Sequence, residues 1–83
     1  MSNPKLKLKE LRKILASFGV SEDVAGGKGS HTKFYKVFSK GRFSYPVPTH
    51  GKEVLGVYVK GCRRKFLLTK EDDVSDEDFY SRR

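Results

Sequence analysis

The chain has little cysteine and no long apolar run, and each shortage excludes a class of protein. Its 83 residues include one cysteine, Cys62, which excludes an internal disulfide framework. No stretch approaches the roughly 20 apolar residues that span a bilayer. The opening residues lack the apolar run of a signal peptide, so a cytoplasmic location is expected. A chain of this length has room for one small core.

Several familiar site motifs are also missing. A phosphate-binding P-loop requires Ser or Thr directly after Gly-Lys, but Gly29 follows Lys28. A serine hydrolase is disfavoured because Ser30 and His31 are neighbours, and neighbouring side chains on an extended chain point to opposite faces. The two histidines and the cysteine lack the paired spacing and fourth ligand of a zinc site. The sequence therefore predicts neither a metal nor a cofactor.

Positive charge is plentiful and unevenly distributed. The formal net charge is +8, yet residues 71–78 hold six of the ten acidic residues. Residues 1–70 carry 16 Lys and Arg against four acids, a net charge of +12. Such a surface favours polyanions, and nucleic acid is a better fit than an anionic membrane because no amphipathic Lys/Trp helix is present. A basic surface that is merely solvated is the alternative.

Apolar spacing predicts a first helix. Asn3 followed by Pro4 resembles a helix cap with proline at the first helical position. Gly19 is placed to end the helix as a left-handed cap. The stripe between them consists of Leu8, Leu11, Ile14, Leu15 and Phe18. Lys9, Arg12 and Lys13 fall on the opposite, solubilising side.

Three strands are predicted next. Residues 20–25 form a short strand or an extended lead into a glycine loop, and residues 32–38 and 43–47 form stronger strands. The loop 39–42 joins the latter two as an antiparallel hairpin. Pro46 and Pro48 end the third strand, because proline cannot donate to a sheet ladder.

Alternation along the central strand assigns its two faces. Phe34 and Phe38 fall on one face, which we expect to be the core. His31, Lys33, Tyr35 and Val37 then fall on the opposite face.

A second helix and an acidic tail complete the predicted order. Apolar spacing between Val54 and Phe66 fits a helix, although Val57-Tyr58-Val59 suits a strand equally. The cations at 63–65 suit the C-terminal end of that helix. Residues 1–70 form the predicted domain, and 71–83 form an acidic, solvated tail in which Ser75 starts a short helix that returns Phe79 and Tyr80 to the core. The class is α+β.

The stretch Gly26–Thr32 is a glycine-rich loop that leads His31 into a strand. Imidazole titrates near neutral pH, so it can take a proton from an RNA 2′-hydroxyl or give one to a leaving 5′-oxygen. Nearby cations, with Lys28 and Lys33 as the candidates, would stabilise charge on the phosphate. The plain alternative is a strand-edge histidine bonded to a backbone carbonyl.

Two motifs resemble those of the HicA family of toxin ribonucleases: Gly29-Ser30-His31 and the segment 48–53, Pro-Thr-His-Gly-Lys-Glu. The resemblance implies a fold like a double-stranded-RNA-binding domain (dsRBD-like, α-β-β-β-α), with both helices on one face of a three-stranded antiparallel sheet. It also implies metal-independent cleavage of mRNA by His31 and neutralisation by a HicB-type antitoxin. His50 matches the second motif, as a supporting, RNA-contacting or structural residue.

The resemblance and the positions of the residues together predict an RNA-binding set. Its members are Lys28, Gly29, Ser30, Lys33, Tyr35 as a stacking surface, His50 and Lys52. Two rivals stay open: a non-catalytic RNA-binding domain, and a protein-interaction module whose partner is acidic. The chain departs from the family in a longer stretch between Gly19 and Gly29 and in its acidic tail, which would compete with RNA if it folded over the basic face.

Overall fold

The structure, a computed structural model, describes residues 5–23, 31–48 and 52–83. In chain order these residues form β1 (Leu6–Lys7), α1 (Leu8–Ser17), β2 (Ser21–Asp23), β3 (His31–Phe38), β4 (Gly41–Pro48), β5 (Glu53–Val54), α2 (Gly56–Lys65), a 3₁₀ turn (Lys70–Asp72) and α3 (Asp76–Ser81). The predicted α+β class is confirmed. No helix among these residues is long and apolar enough to cross a membrane.

The predicted three-stranded antiparallel sheet is present, with strand order β2-β3-β4. The first strand is shorter than residues 20–25, and of those residues 24 and 25 lie outside the described part of the chain. The hairpin is tighter than predicted, since a turn at Ser39-Lys40 pairs Phe38 with Gly41. Gly41 permits this early closure because its φ of 133° is a conformation that L side chains rarely adopt.

The two faces of the sheet are the predicted ones. Phe34 lies opposite Tyr45 in β4 and is 1% exposed, so it faces the core. The neighbouring pair Thr32 and Val47 continues this inner face, and Val47 is fully buried. Val37 lies on the opposite face and is 68% exposed. The outer face of the sheet is therefore open to solvent.

α1 begins at Leu8, so the predicted start at Pro4 is wrong. Leu6 and Lys7 instead form β1, which pairs antiparallel with β5. The backbone N–H of Lys7 donates to Oε1 of Glu10 at 3.0 Å, which satisfies one of the polar groups at the helix start. A tertiary partner thus overrides the local cap signal.

The predicted end of α1 is confirmed. Gly19 has a φ of 82°, in the left-handed region. Its N–H donates to the carbonyl of Ala16 at 3.0 Å, and the N–H of Val20 donates to that of Leu15 at 2.9 Å. These two bonds form a Schellman cap, which satisfies the last carbonyls of the helix.

One core joins the helices to the inner face of the sheet. α1 and α2 each contribute three or more buried or flanking apolar residues. The fully buried side chains are Leu6, Leu11, Ile14, Leu15, Phe34, Val47, Val54, Val59, Cys62, Phe66 and Phe79. The apolar stripe predicted for α1 supplies three of these residues, which explains why that helix docks on the sheet.

α2 is helical, so the strand alternative for this segment is wrong. Its buried face differs from the predicted one, because Val59 is buried and Val57 is 65% exposed. Val54 belongs to β5, and the helix begins only at Gly56. Because Val54 is outside the helix, the buried positions of this segment are Val59, Cys62 and Phe66, which are three and four residues apart.

Gly61 sits where Tyr45 of β4 crosses α2, and no larger residue fits there. A Cβ atom added at Gly61 would overlap the hydroxyl and ring of Tyr45. We expect Gly61→Ala to lower the free energy of unfolding by about 1–3 kcal/mol, the usual cost of overpacking. In a Tyr45→Ala background the same substitution should cost little. Equal costs in both backgrounds, measured by urea denaturation, would show that the clash is relieved in another way.

Cys62 has a deeply buried thiol, and burial raises its pKa from 9.0 to about 12. The unfolded chain releases this proton at a lower pH than the folded chain, so stability is lost as pH rises above 9.0. We expect the free energy of unfolding to fall by about 1.4 kcal/mol per pH unit in that range. Urea denaturation at several alkaline pH values measures the slope. Cys62→Ala should have a shallower slope, because only other groups such as Tyr45 and Tyr80 then contribute. Identical slopes would contradict this assignment.

The acidic segment forms the predicted short helix. The N–H of Asp78 donates to Oγ of Ser75 at 3.0 Å, which confirms the predicted cap. Phe79 is fully buried and Val74 nearly so, which means that this segment supplies part of the core. A truncation that removes the acidic segment would therefore remove core residues as well as negative charge.

Arg63 lies in the last turn of α2, as predicted, and it also holds the acidic segment in place. It is 5% exposed. Its guanidinium donates to the carbonyls of Leu68 at 2.9 Å and Val74 at 3.1 Å, and to Oδ1 of Asp76 at 2.7 Å. It also stacks on Phe79, 4.7 Å from the ring centre. One buried side chain thus connects α2 to the chain that follows it.

Candidate nucleic-acid interface

The two motif-bearing segments meet at one end of the sheet. β3 begins at His31 and β4 ends at Pro48, and these two residues pair in the antiparallel ladder. The last residue of the first motif therefore lies opposite the first residue of the second. Nothing in the sequence alone fixes this register.

Several predicted site residues lie outside the part of the chain that is described. They are Lys28, Gly29, Ser30 and His50. For His31 the description covers the backbone, so its catalytic role stays a prediction. Within residues 5–23, 31–48 and 52–83, no three His, Cys, Asp or Glu side chains are grouped as metal ligands.

Lys33 lies on the outer face of the sheet, two residues after His31. It pairs with Asp23 of β2 on one side and with Pro46 of β4 on the other. Its position is compatible with the predicted phosphate contact, because it belongs to the open face at the same end of the ladder as His31.

Tyr35 does not offer a bare ring, since Arg42 covers one face of it. The guanidinium carbon of Arg42 lies 4.0 Å from the ring centre, and Nη2 donates to Oδ2 of Asp23 at 3.1 Å. This part of the sheet therefore presents the planar guanidinium of Arg42 to solvent, in place of the face of Tyr35 that it covers. The sequence did not predict this placement of Arg42, because its position over Tyr35 follows from a hairpin loop two residues shorter than the predicted one.

Lys52 lies beside the start of α1. Its carbonyl accepts a hydrogen bond from the N–H of Leu8 at 2.7 Å. Lys52 follows Pro48 by four residues, which span at most roughly 14 Å of extended chain. The described members of the second motif thus lie at the end of the sheet and beside the first turn of α1.

A groove of about 590 Å³ lies between the start of α1 and β5, and we call it the α1–β5 groove. Its lining residues are Lys7, Leu8, Lys9, Arg12, Lys52 and Glu53. The sequence predicts Lys9 and Arg12 as a solubilising surface, whereas the structure places them with Lys52 around one depression. This grouping was invisible in the sequence because it depends on β1 pairing with β5.

The carboxylates near the α1–β5 groove are already bound. Glu53 pairs with Lys5 at 3.2 Å, and Glu22 accepts two hydrogen bonds from Arg12 at 2.7 and 3.0 Å. Among the described residues, no carboxylate pairs with Lys7, Lys9 or Lys52. Three ammonium groups are thus available to an anionic ligand.

These observations describe a surface suited to polyanions: an open sheet face that carries Lys33 and Arg42, and a cationic groove whose Lys52 follows the last residue of the sheet by four positions. A scan against protein-family models, a search of curated proteins and a search of solved structures each found no match.

Proposed function

We propose that the protein is an endoribonuclease of the HicA toxin type, which cuts mRNA without a metal ion in the cytoplasm and is neutralised by a HicB-type antitoxin. The observation that carries the proposal is the pairing of His31 with Pro48, because it brings both motif-bearing segments to one end of the sheet. The net charge of +12 on residues 1–70 also supports it, since RNA is a polyanion.

The proposed reaction needs only groups that the chain and RNA supply. His31 takes the proton of a 2′-hydroxyl, and that oxygen attacks the adjacent phosphorus. The bond from phosphorus to the 5′-oxygen breaks, and the 5′-oxygen takes the proton back from the His31 imidazolium, which restores the neutral histidine. The products are a 2′,3′-cyclic phosphate and a 5′-hydroxyl, so protons and electrons balance. Lys28 and Lys33 stabilise the charge that grows on the phosphate.

The test is incubation of the purified chain with an mRNA transcript in EDTA, beside DNA of the same sequence. RNA should be cut to fragments that end in a cyclic phosphate, and DNA should stay intact because it has no 2′-hydroxyl. Cutting that returns only when a divalent metal is added back would overturn the proposed mechanism. Intact RNA under every condition would overturn the enzyme assignment.

A non-catalytic RNA-binding domain is the second candidate function. The α1–β5 groove favours it, because its three available lysines need no histidine to bind RNA. Retention of uncut RNA that weakens steeply with salt would identify this function.

A further inference from the structure

We propose that the α1–β5 groove binds the phosphodiester backbone of RNA on one side of the cleavage position. The choice of RNA as ligand rests on the proposed function, and the groove itself rests on the described structure. Its residues come from two parts of the chain, Lys7 to Arg12 and Lys52 to Glu53, which only the fold brings together.

Charge distinguishes this groove from another basic depression on the described surface. The second depression is lined by Lys60, Arg63, Arg64 and Lys70 and by the carboxylates of Glu71 and Asp76. Arg63 binds Asp76, so three cations and the carboxylate of Glu71 remain there. In the α1–β5 groove the one lining carboxylate, Glu53, is bound by Lys5. The field in the α1–β5 groove is therefore more strongly positive, which favours a chain of phosphates.

The backbone that carries the three lysines is held in place. Lys7 lies in β1 and pairs with Glu53, while the carbonyl of Lys52 accepts the N–H of Leu8. Lys9 lies in the first turn of α1. Strand pairing holds the backbone of Lys7, the helix holds that of Lys9, and the hydrogen bond from Leu8 holds that of Lys52. Binding a phosphate therefore requires mainly ordering of the lysine side chains.

The groove lies within reach of the proposed cleavage site, because four residues of extended chain span at most roughly 14 Å. Its Lys52 is four residues from Pro48, and Pro48 pairs with His31. An RNA strand that has a phosphate at the end of the sheet can thus continue into the groove. Partly buried Leu8 provides an apolar surface there for a ribose.

The test measures RNA affinity in a His31→Ala background, so that cleavage does not remove the ligand. Fluorescence anisotropy of a short labelled single-stranded RNA gives the dissociation constant at several salt concentrations. In that background, the triple variant Lys7→Gln, Lys9→Gln and Lys52→Gln should reduce the slope of log K against log salt by about 2, or about 0.7 per lysine. At about 0.1 M salt this corresponds to an affinity on the order of 100-fold lower.

A matched triple variant provides the control, with the same loss of charge elsewhere: Lys40→Gln, Lys60→Gln and Lys70→Gln, all at exposed positions. Its slope should fall by less than half as much. Equal losses of salt slope and affinity in the two variants would contradict binding in the groove and would indicate non-specific electrostatic attraction to the whole surface. Unchanged affinity in the first variant, with an unchanged thermal midpoint, would also overturn it.

The outcome is separable from that of the proposed function. A wild-type chain that cuts RNA while the groove variants bind normally would retain the function and reject the groove. A wild-type chain that binds RNA through the groove and never cuts it would support the groove and reject the proposed enzymatic function.

Discussion

Replacing His31 by alanine is expected to slow RNA cleavage by about 10²–10⁴-fold, the usual contribution of one general acid or base. The affinity for RNA should change little, because the lysines proposed to bind phosphate are retained. Cleavage rates under single-turnover conditions, measured in EDTA beside anisotropy titrations, separate these two effects.

Two further variants sharpen this result. His31→Gln keeps a polar side chain that cannot shuttle a proton near neutral pH, so it should be as slow as the alanine variant. Val37→Thr, at an exposed position of the same strand outside the predicted RNA-binding set, should cut RNA at nearly the wild-type rate. Cleavage at an unchanged rate in both His31 variants would mean that another residue, or a contaminating nuclease, performs the reaction.

Replacing Arg63 by alanine is expected to lower the free energy of unfolding by about 3 kcal/mol or more. The variant leaves the carbonyls of Leu68 and Val74 without their donor, and each such loss costs about 1–3 kcal/mol. It also removes the partner that holds the pKa of the Asp76 carboxyl below its ordinary value. For a domain of this size the total stability is about 4–12 kcal/mol, so a large part of it would be lost.

Arg64 is the matched control, since it is the neighbouring residue in α2 and is exposed. Arg64→Ala should change stability by less than about 0.5 kcal/mol. Thermal denaturation should show a midpoint roughly 12–24 °C lower for the Arg63 variant and little change for its neighbour. Similar midpoints for the two variants would show that the bonds of Arg63 contribute no net stability.

Local signals predicted much of the fold correctly. The apolar stripe of α1 and its glycine cap depend on residues within one or two turns, and both are confirmed. The alternation that turns Phe34 inward depends only on the two-residue period of a strand. The capping role of Ser75 is equally local, because its partner is three residues away.

The errors in the predicted fold have a common physical cause in contacts between distant residues. Leu6-Lys7-Leu8-Lys9 alternates as a strand does, but the Asn3-Pro4 cap signal outweighed it, since the partner strand lies 48 residues away. The burial of Arg63 was not predicted either. Arg63 resembles its neighbours Arg64 and Lys65 in sequence and differs from them only because the chain folds back over it. The α1–β5 groove was not predicted for the same reason. Lys52 was predicted to bind RNA, but the groove around it depends on the pairing of β1 with the distant β5.

The pairing of β1 with β5 has a consequence for biosynthesis. Lys5 and Glu53 are separated by 48 residues, so the first strand has no partner until more than half of the chain has left the ribosome. Closing so large a loop costs entropy before any contact compensates for it, so we expect this pairing to form late in folding. A nascent chain thus carries its N-terminal lysines before it possesses the depression that would give them a ligand.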